Sequence, residues 1–182
     1  MLDLNNIIQI AKTAGFLKRI KRTGWVRIGV SSPESVADHS FRTALLCLFL
    51  TKDRDLNHEK IIQMALIHDL GETATSDIRY EEGSKIIASE KAKEQLEEDI
   101  LKKLFKPLHD GKYYLDLWYE FRDQITIEAK LLKQIEKIEM ALQAIEYKEM
   151  GLPAKLTSEF IENAEKYVKD NDLKELLKSI VK

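Results

Sequence analysis

Residues 32–50 read SPESVADHSFRTALLCLFL, a helix start followed by an apolar helix with one histidine set into it. Ser32 can cap, Pro33 suits the first helical position, and Glu34 opposes the positive end of the helix dipole. The pattern then runs to about Leu50. Phe41, Ala44, Leu45, Leu48 and Phe49 follow the spacing i, i+3, i+4, i+7, i+8 and mark one apolar face. Leu46 and Leu50 lie on the other side, so this helix is expected at the centre of the fold. His39 stands seven residues before Leu46 on that second stripe and is expected to point into protein rather than water.

The segments on either side repeat the helical pattern. Leu2 to Ala14 has helical apolar spacing with Gly15 as its expected stop. Residues 15–32 are irregular, punctuated by Gly24, Gly29 and the start at Pro33, and carry Trp25; a long loop of this kind is often functional. Asn57 caps a helix through Ile61, Ile62, Met64, Ala65, Leu66 and Ile67, which His68 and Asp69 close before Gly71. Ser84 to Phe105 reads as an amphipathic helix with a charged outer face, broken by Pro107 to Gly111. Tyr113 to Arg122 is a short aromatic helix. Gln124 to Met150 is a long one, with a stripe of Leu131, Ile135, Ile138, Leu142 and Ile145. After Gly151-Leu152-Pro153 come two amphipathic segments, Lys155–Lys169 and Leu173–Val181. No strand series or βαβ alternation appears. The expectation is an all-α helical bundle of one domain over 1–182, with its core at about 15–150 and C-terminal helices at 155–182.

Composition narrows the function classes. The chain has 182 residues, 44% hydrophobic and 33% charged, with only 7 Gly and 3 Pro. Its net charge of −2 and pI near 6.1 argue against a nucleic-acid polymer as partner. The cluster Lys18-Arg19-Ile20-Lys21-Arg22 reads as a solvated face, with a phosphate anchor as the alternative. Cys47 has no second cysteine to pair with, suits a reducing compartment, and is expected to be a small core side chain. The N-terminus does not read as a signal peptide. The longest apolar run, Thr43 to Leu50, is too short to span a bilayer, so a cytoplasmic protein without membrane contact is expected. The glycines are too sparse for a P-loop or dinucleotide turn.

Chemistry concentrates around His68-Asp69. Adjacent residues differ by about 100° around a helix, so both converge on one ion only near a helix end. Imidazole suits borderline transition metals and carboxylate suits harder ions, so the pair indicates a mixed N/O site for Mn²⁺ or Co²⁺, with Mg²⁺ also compatible. His39 is expected to approach from the central helix. Glu72 lies four residues after His68, and Asp77 follows in the next segment. So many ionisable groups in apolar surroundings are costly unless paired or metal-bound.

The pattern His39, His68-Asp69, then an acidic residue resembles the HD-domain phosphohydrolases. Leu17-Lys18-Arg19, Arg22-Thr23-Gly24-Trp25, Pro33 through His39, His68-Asp69-Leu70-Gly71-Glu72 through Asp77, and Lys133 through Met140 resemble one branch of them, the YfbR-like 5′-deoxynucleotidases, over roughly residues 15–150. The resemblance implies an all-α HD domain, a homodimer, and a divalent metal held by His39, His68, Asp69 and a final carboxylate. It implies hydrolysis of deoxyribonucleoside 5′-monophosphates. Glu72 and Asp77 match the acidic residues assigned to water activation and leaving-group protonation, and Arg22 matches the phosphate-gripping arginine.

Two positions depart from the branch. Some members place a Trp directly after that arginine, where it disfavours a ribose 2′-hydroxyl. Here Thr23 follows Arg22, and Trp25 is the candidate substrate-binding aromatic, so the resemblance leaves sugar preference open. The last ligand is Asp in the family and Glu136 here, with Glu139 the nearest substitute. The apolar faces of the C-terminal helices are the expected subunit interface. Two competing readings stand beside this one. The first is an HD phosphohydrolase acting on a cyclic nucleotide, a triphosphate or an alarmone. The second is a non-catalytic metal- or nucleotide-binding helical protein.

Overall fold

Side-chain caps set where the helices begin. A computed structural model describes residues 3–74 and 90–182. Its first helix, α1, spans Leu4–Leu17, and Asp3 accepts from the amides of Asn5 and Asn6. The helix continues past Gly15, so that glycine is not its stop. Residues 15–32 are not all loop: Thr23–Arg27 forms a short helical turn, α2, carrying Trp25. The central helix α3 is Val36–Leu50, starting later than Ser32 would have it. Ser35 caps the amide of Asp38, and Asp38 accepts in return from the Ser35 amide at 2.8 Å. Upstream, the backbone of Glu34 and Val36 instead pairs with Arg22 and Ile20. A reciprocal capping box there outcompetes the Ser-Pro start.

Asn57 caps α4, His58–Ile67, as expected. His68 is its last, half-helical residue, and a 3₁₀ turn, Leu70–Ala74, follows. The remaining helices are α5 (Glu90–Phe105), α6 (Gly111–Asp123), α7 (Ile127–Glu149), α8 (Ala154–Tyr167) and α9 (Asn171–Val181). Thr126 and Asp170 cap α7 and α9. Among the described residues there is no strand, only an isolated bridge between Lys21 and Ser35. The fold is all-α. No helix among the described residues is long and apolar enough to cross a membrane.

The long helix α7 is the axis of the packing. Its Leu131, Leu132, Ile135, Ile138 and Ala141 are buried with Cys47 of α3, Ile61 and Met64 of α4, Leu117 of α6, and Leu173 and Leu177 of α9. A second cluster joins α1, α5 and α6 through Leu17, Leu101, Phe105 and Trp118, and a third gathers Trp25, Tyr147 and Phe160. The C-terminal helices spend much of their apolar faces inside the molecule, through Ala164, Leu173 and Leu177, which leaves less of them for a subunit interface. Cys47 is fully buried, and burial pushes its thiol up to about 12, which suits a core side chain.

His39 points inward as the sequence reading has it, but most of the apolar face opposite it is exposed rather than buried. Val36, His39, Ser40, Thr43, Ala44 and Cys47 face inward. Phe41, Leu45, Leu48 and Phe49 are exposed, the two phenylalanines at 68% and 73%. Two of the polar inner residues find partners: Ser40 Oγ donates to the Val36 carbonyl at 2.9 Å, and His39 Nδ1 meets Glu139.

Gly71 fixes how close α5 comes to the turn after α4. A Cβ at Gly71 would lie 2.8 Å from Glu97 Cβ. Only a glycine lets α5 sit this near, and α5 thereby carries Lys93 and Glu97 to the site.

Candidate active site

Two elements bring the central groups together. His39 enters from the buried face of α3, and His68 and Asp69 come from the end of α4. The His39 and His68 rings lie 5.6 Å apart, and His68 also packs on the edge of Phe121 at 5.1 Å. Ligand atoms of His39, His68 and Asp69 all fall within 4.8 Å of one another. Asp69 Oδ2 is 3.3 Å from His68 Nε2 and 3.9 Å from His39 Nε2. Both Nε2 atoms are buried and have no hydrogen-bond partner. An orphaned buried polar atom is costly, and two facing one carboxylate are the donor set a divalent cation satisfies. These residues fit a metal.

Each histidine is held by its other nitrogen. His68 Nδ1 donates to the Ala65 carbonyl at 2.7 Å. His39 Nδ1 meets the Glu139 carboxylate. The field around Asp69 is strongly positive: burial opposes its charge, but His68, His39 and Arg22 together hold its carboxyl well below the usual range. Against the same burial, Asp69 raises the pKa of His68.

Glu136 and Glu139 both project from α7 but serve different surroundings. Glu136 is buried, and its Oε2 lies 2.8 Å from Lys133 Nζ. Burial works against its charge, yet Lys133, His39 and His68 bring its pKa down to about 2. Its carboxylate faces the field of both histidines but does not belong to the tight group of three. Glu139 reaches the Nδ1 edge of His39, away from the nitrogen that faces Asp69.

Arg22 sits at the N-cap of α2, with Nη1 at 3.4 Å from Asp69 Oδ2 and Nε at 3.7 Å from Glu34 Oε1. Trp25 is only 1% exposed. Its Nε1 donates to Glu34 Oε1 at 2.8 Å, and its ring packs on Phe160 at 4.0 Å and Tyr147 at 5.1 Å. Burial, with Glu139 nearby, pushes Glu34 up to about 7 despite the Trp25 donor and the two arginines. Trp25 therefore stands beneath the Arg22 turn more than it protrudes from it.

A cavity of about 240 Å³ opens beside Arg22 and is lined also by Thr23, Gly24, Trp25, Glu72, Lys93, Met140 and Phe160. Glu72, on the 3₁₀ turn, accepts from Lys93 Nζ at 3.0 Å, and Glu97 lies 3.2 Å from the same ammonium. Asp77 lies outside the described residues.

Sequence reading passed over Lys93, Glu34 and Arg42. Lys93 sits in a charged helix where nothing distinguishes one lysine from the next. Glu34 looked like an ordinary first-turn acid. Glu139 carried a usable signal, because it falls four residues after buried Ile135, and a charge on a core stripe needs a partner.

The chain resembles several characterised or solved proteins. The 5′-deoxynucleotidase HDDC2 of Danio rerio is 36% identical over 167 residues, covering 90% of this chain and 81% of that protein. The 5′-deoxynucleotidase HDDC2 of Dictyostelium discoideum is 41% identical over 153 residues, covering 79% of this chain and 78% of that protein. The solved structure of a conserved hypothetical protein from Pyrococcus furiosus superposes with a TM-score of 0.73 at 34% identity, covering 95% of this chain and 98% of that one. Residues 14–177 match the HD domain family. With His39 and the His68-Asp69 pair converging as described, the chain belongs to the HD-domain family.

Proposed function

We propose that this chain is a metal-dependent phosphoric monoester hydrolase, a 5′-deoxynucleotidase that splits deoxyribonucleoside 5′-monophosphates into deoxynucleoside and phosphate. The observation that carries the reading is the pair of orphaned Nε2 atoms facing Asp69, with Arg22 between that cluster and a polar cavity. The names of the relatives at 36% and 41% identity support the substrate class.

A divalent cation, Mn²⁺, Co²⁺ or Mg²⁺, held by His39, His68 and Asp69 with Glu136 as candidate fourth ligand, would supply charge neutralisation at the phosphoryl oxygens and a more acidic water. Arg22 grips the phosphate through its planar guanidinium fork. Its present partner Asp69 is engaged at 3.4 Å, long enough to yield to a phosphate. Glu72, lining the same cavity, orients the attacking water and takes its proton. The new bond forms between that water oxygen and phosphorus, and the bond from phosphorus to the 5′-oxygen breaks. Asp77 is assigned the proton delivered to the leaving 5′-oxygen, which keeps the nucleoside neutral. Trp25, fixed by Glu34, supports the substrate-facing turn beside Met140 and Phe160, where a sugar or base can rest. Cys47 takes no part.

The same reading describes a single-domain cytoplasmic enzyme acting on small nucleotides rather than nucleic-acid polymers. It functions as a homodimer whose interface is the exposed face of α3.

Phosphate release from a panel of nucleotides tests the reading. Deoxynucleoside 5′-monophosphates should turn over with added Mn²⁺ or Co²⁺ and stop with chelator. Turnover confined to cyclic nucleotides, triphosphates or alarmones would move the chain to another phosphohydrolase class. No release with any metal would end the enzyme reading.

A further inference from the structure

The two metal-facing histidines are oriented by different means. His68 gives its Nδ1 proton to a backbone carbonyl, which no side-chain substitution removes. His39 has no such carbonyl. Its ring is completely buried, and among the described residues the hydrogen-bond partner at its Nδ1 edge is the equally buried carboxylate of Glu139. We propose that Glu139, locked by Arg42, is the positioning residue that fixes His39 with its proton on Nδ1 and its lone pair on Nε2, facing Asp69.

The geometry supports each link. A carboxylate only accepts, so the Nδ1 it touches carries the proton and Nε2 of a neutral ring is left with its lone pair. That Nε2 is the atom without a partner, 3.9 Å from Asp69 Oδ2. Glu139 cannot rotate freely, because Arg42 Nε donates to its Oε1 at 2.9 Å and Nη2 lies 2.8 Å from the same oxygen. Arg42 is itself pinned by Gln143 at 2.6 Å and by both oxygens of Glu146 at 2.8 Å. Glu139, Gln143 and Glu146 all lie on α7, so one helix supplies the whole clamp for a histidine on α3.

Glu139 could instead be imagined as a metal ligand, in place of Glu136 or in a second cluster with Glu34 and His39 Nδ1. The Arg42 guanidinium argues against both, because it already occupies the open side of Glu139 and approaches Glu34 Oε2 at 3.8 Å. A negative charge behind a ligating imidazole also strengthens it as a donor, and loss of such partners typically weakens metal binding about 10–100-fold. The inference rests on the metal site proposed above but concerns orientation, so it can fail while hydrolysis stands.

Two measurements decide it. Manganese affinity by titration calorimetry should fall about 10–100-fold in Glu139→Leu, which keeps bulk and removes the acceptor. Glu139→Gln, which keeps an acceptor and loses the charge, should fall less. A folded Glu139→Leu with unchanged manganese affinity would overturn the proposal. The second measurement needs no variant and so survives any folding defect. In ¹⁵N-histidine-labelled, zinc-loaded protein, His39 should show its proton on Nδ1 and metal on Nε2. Ligation of His39 through Nδ1 would overturn the proposal as surely. Zinc affinity unchanged in a folded His39→Asn would instead count against the metal site itself.

Discussion

Glu136 and Glu139 are chemically the same residue three positions apart, and the field around each decides what it does. Glu139 sits against His39 Nδ1 and Arg42, whereas Glu136 is paired to Lys133 at 2.8 Å and feels both histidines. As the last metal ligand, Glu136 would have to exchange Lys133 for the metal. Two substitutions separate this from a plain ion pair. Glu136→Ala should weaken manganese binding by at least about tenfold, an effect in the range seen when groups around a metal are lost. Glu136→Asp should bind as well as the native chain or better. Titration calorimetry reads both, and equal affinity in all three proteins would remove Glu136 from the site. The sequence could single out His39, His68 and Asp69 because helical spacing aims them at one place and the resemblance to the HD domain gives them as a ligand set, and the structure brings the three together. The sequence favours Glu136 through the resemblance and keeps Glu139 as the substitute, because what separates the two depends on Arg42 and Lys133, whose side chains carry no periodic signal.

At the scale of the element, α3 shows both what hydrophobic spacing reveals and what it misses. Its existence, its end and the inward direction of His39 follow from the pattern, but it starts later than expected and one of its two apolar faces is exposed. Phe41, Leu45, Leu48 and Phe49 are bulkier than inward Val36, Ala44 and Cys47, yet the inner face packs on the core with Leu46 and Leu50 beside it, and His39 and Ser40 find partners there. The outer stripe then needs an explanation, since four large exposed apolar residues in one row are unusual for a monomer. Asp38, Phe41, Leu45 and Leu48 follow one another at spacings of three and four, so they share this face, and exposed Lys52 follows just past the helix end. An antiparallel copy centred on Leu45 would place Asp38 of each chain opposite Lys52 of the other, seven residues to either side. The helix is about 22 Å long at 1.5 Å per residue, enough for the centre of an isologous interface. Light scattering should therefore find a dimer at micromolar concentration. Leu45→Glu, on the solvent side and remote from His39's partners, should give a folded monomer with an unchanged far-ultraviolet spectrum. A monomeric native chain, or an unaltered dimer in Leu45→Glu, would sink this interface.

For the whole molecule, the question is how a chain with few turns and three apolar clusters is tied into one unit. His39 comes from α3, His68 and Asp69 from the end of α4, Glu136 from α7, and Arg22 from the turn before α2. A cation on this site therefore bridges segments separated by up to about a hundred residues, and it does so only in the folded state. Binding to the native state alone stabilises by RT ln(1 + [L]/Kd), or about 2.7 kcal/mol at a hundred times Kd. A chain of this size gains roughly 2–4 °C in Tm per kcal/mol. Saturating manganese should then raise Tm by about 5–11 °C over chelator-treated protein, as a single cooperative transition if the chain is one domain. His68→Ala should abolish the shift, because it removes a first ligand from the junction of α4 and the 3₁₀ turn, while its chelator-treated Tm reports any separate cost to folding. Scanning calorimetry with and without manganese measures both quantities. A native Tm indifferent to metal would mean that these groups satisfy one another without an ion, and the orphaned Nε2 atoms would then need another partner.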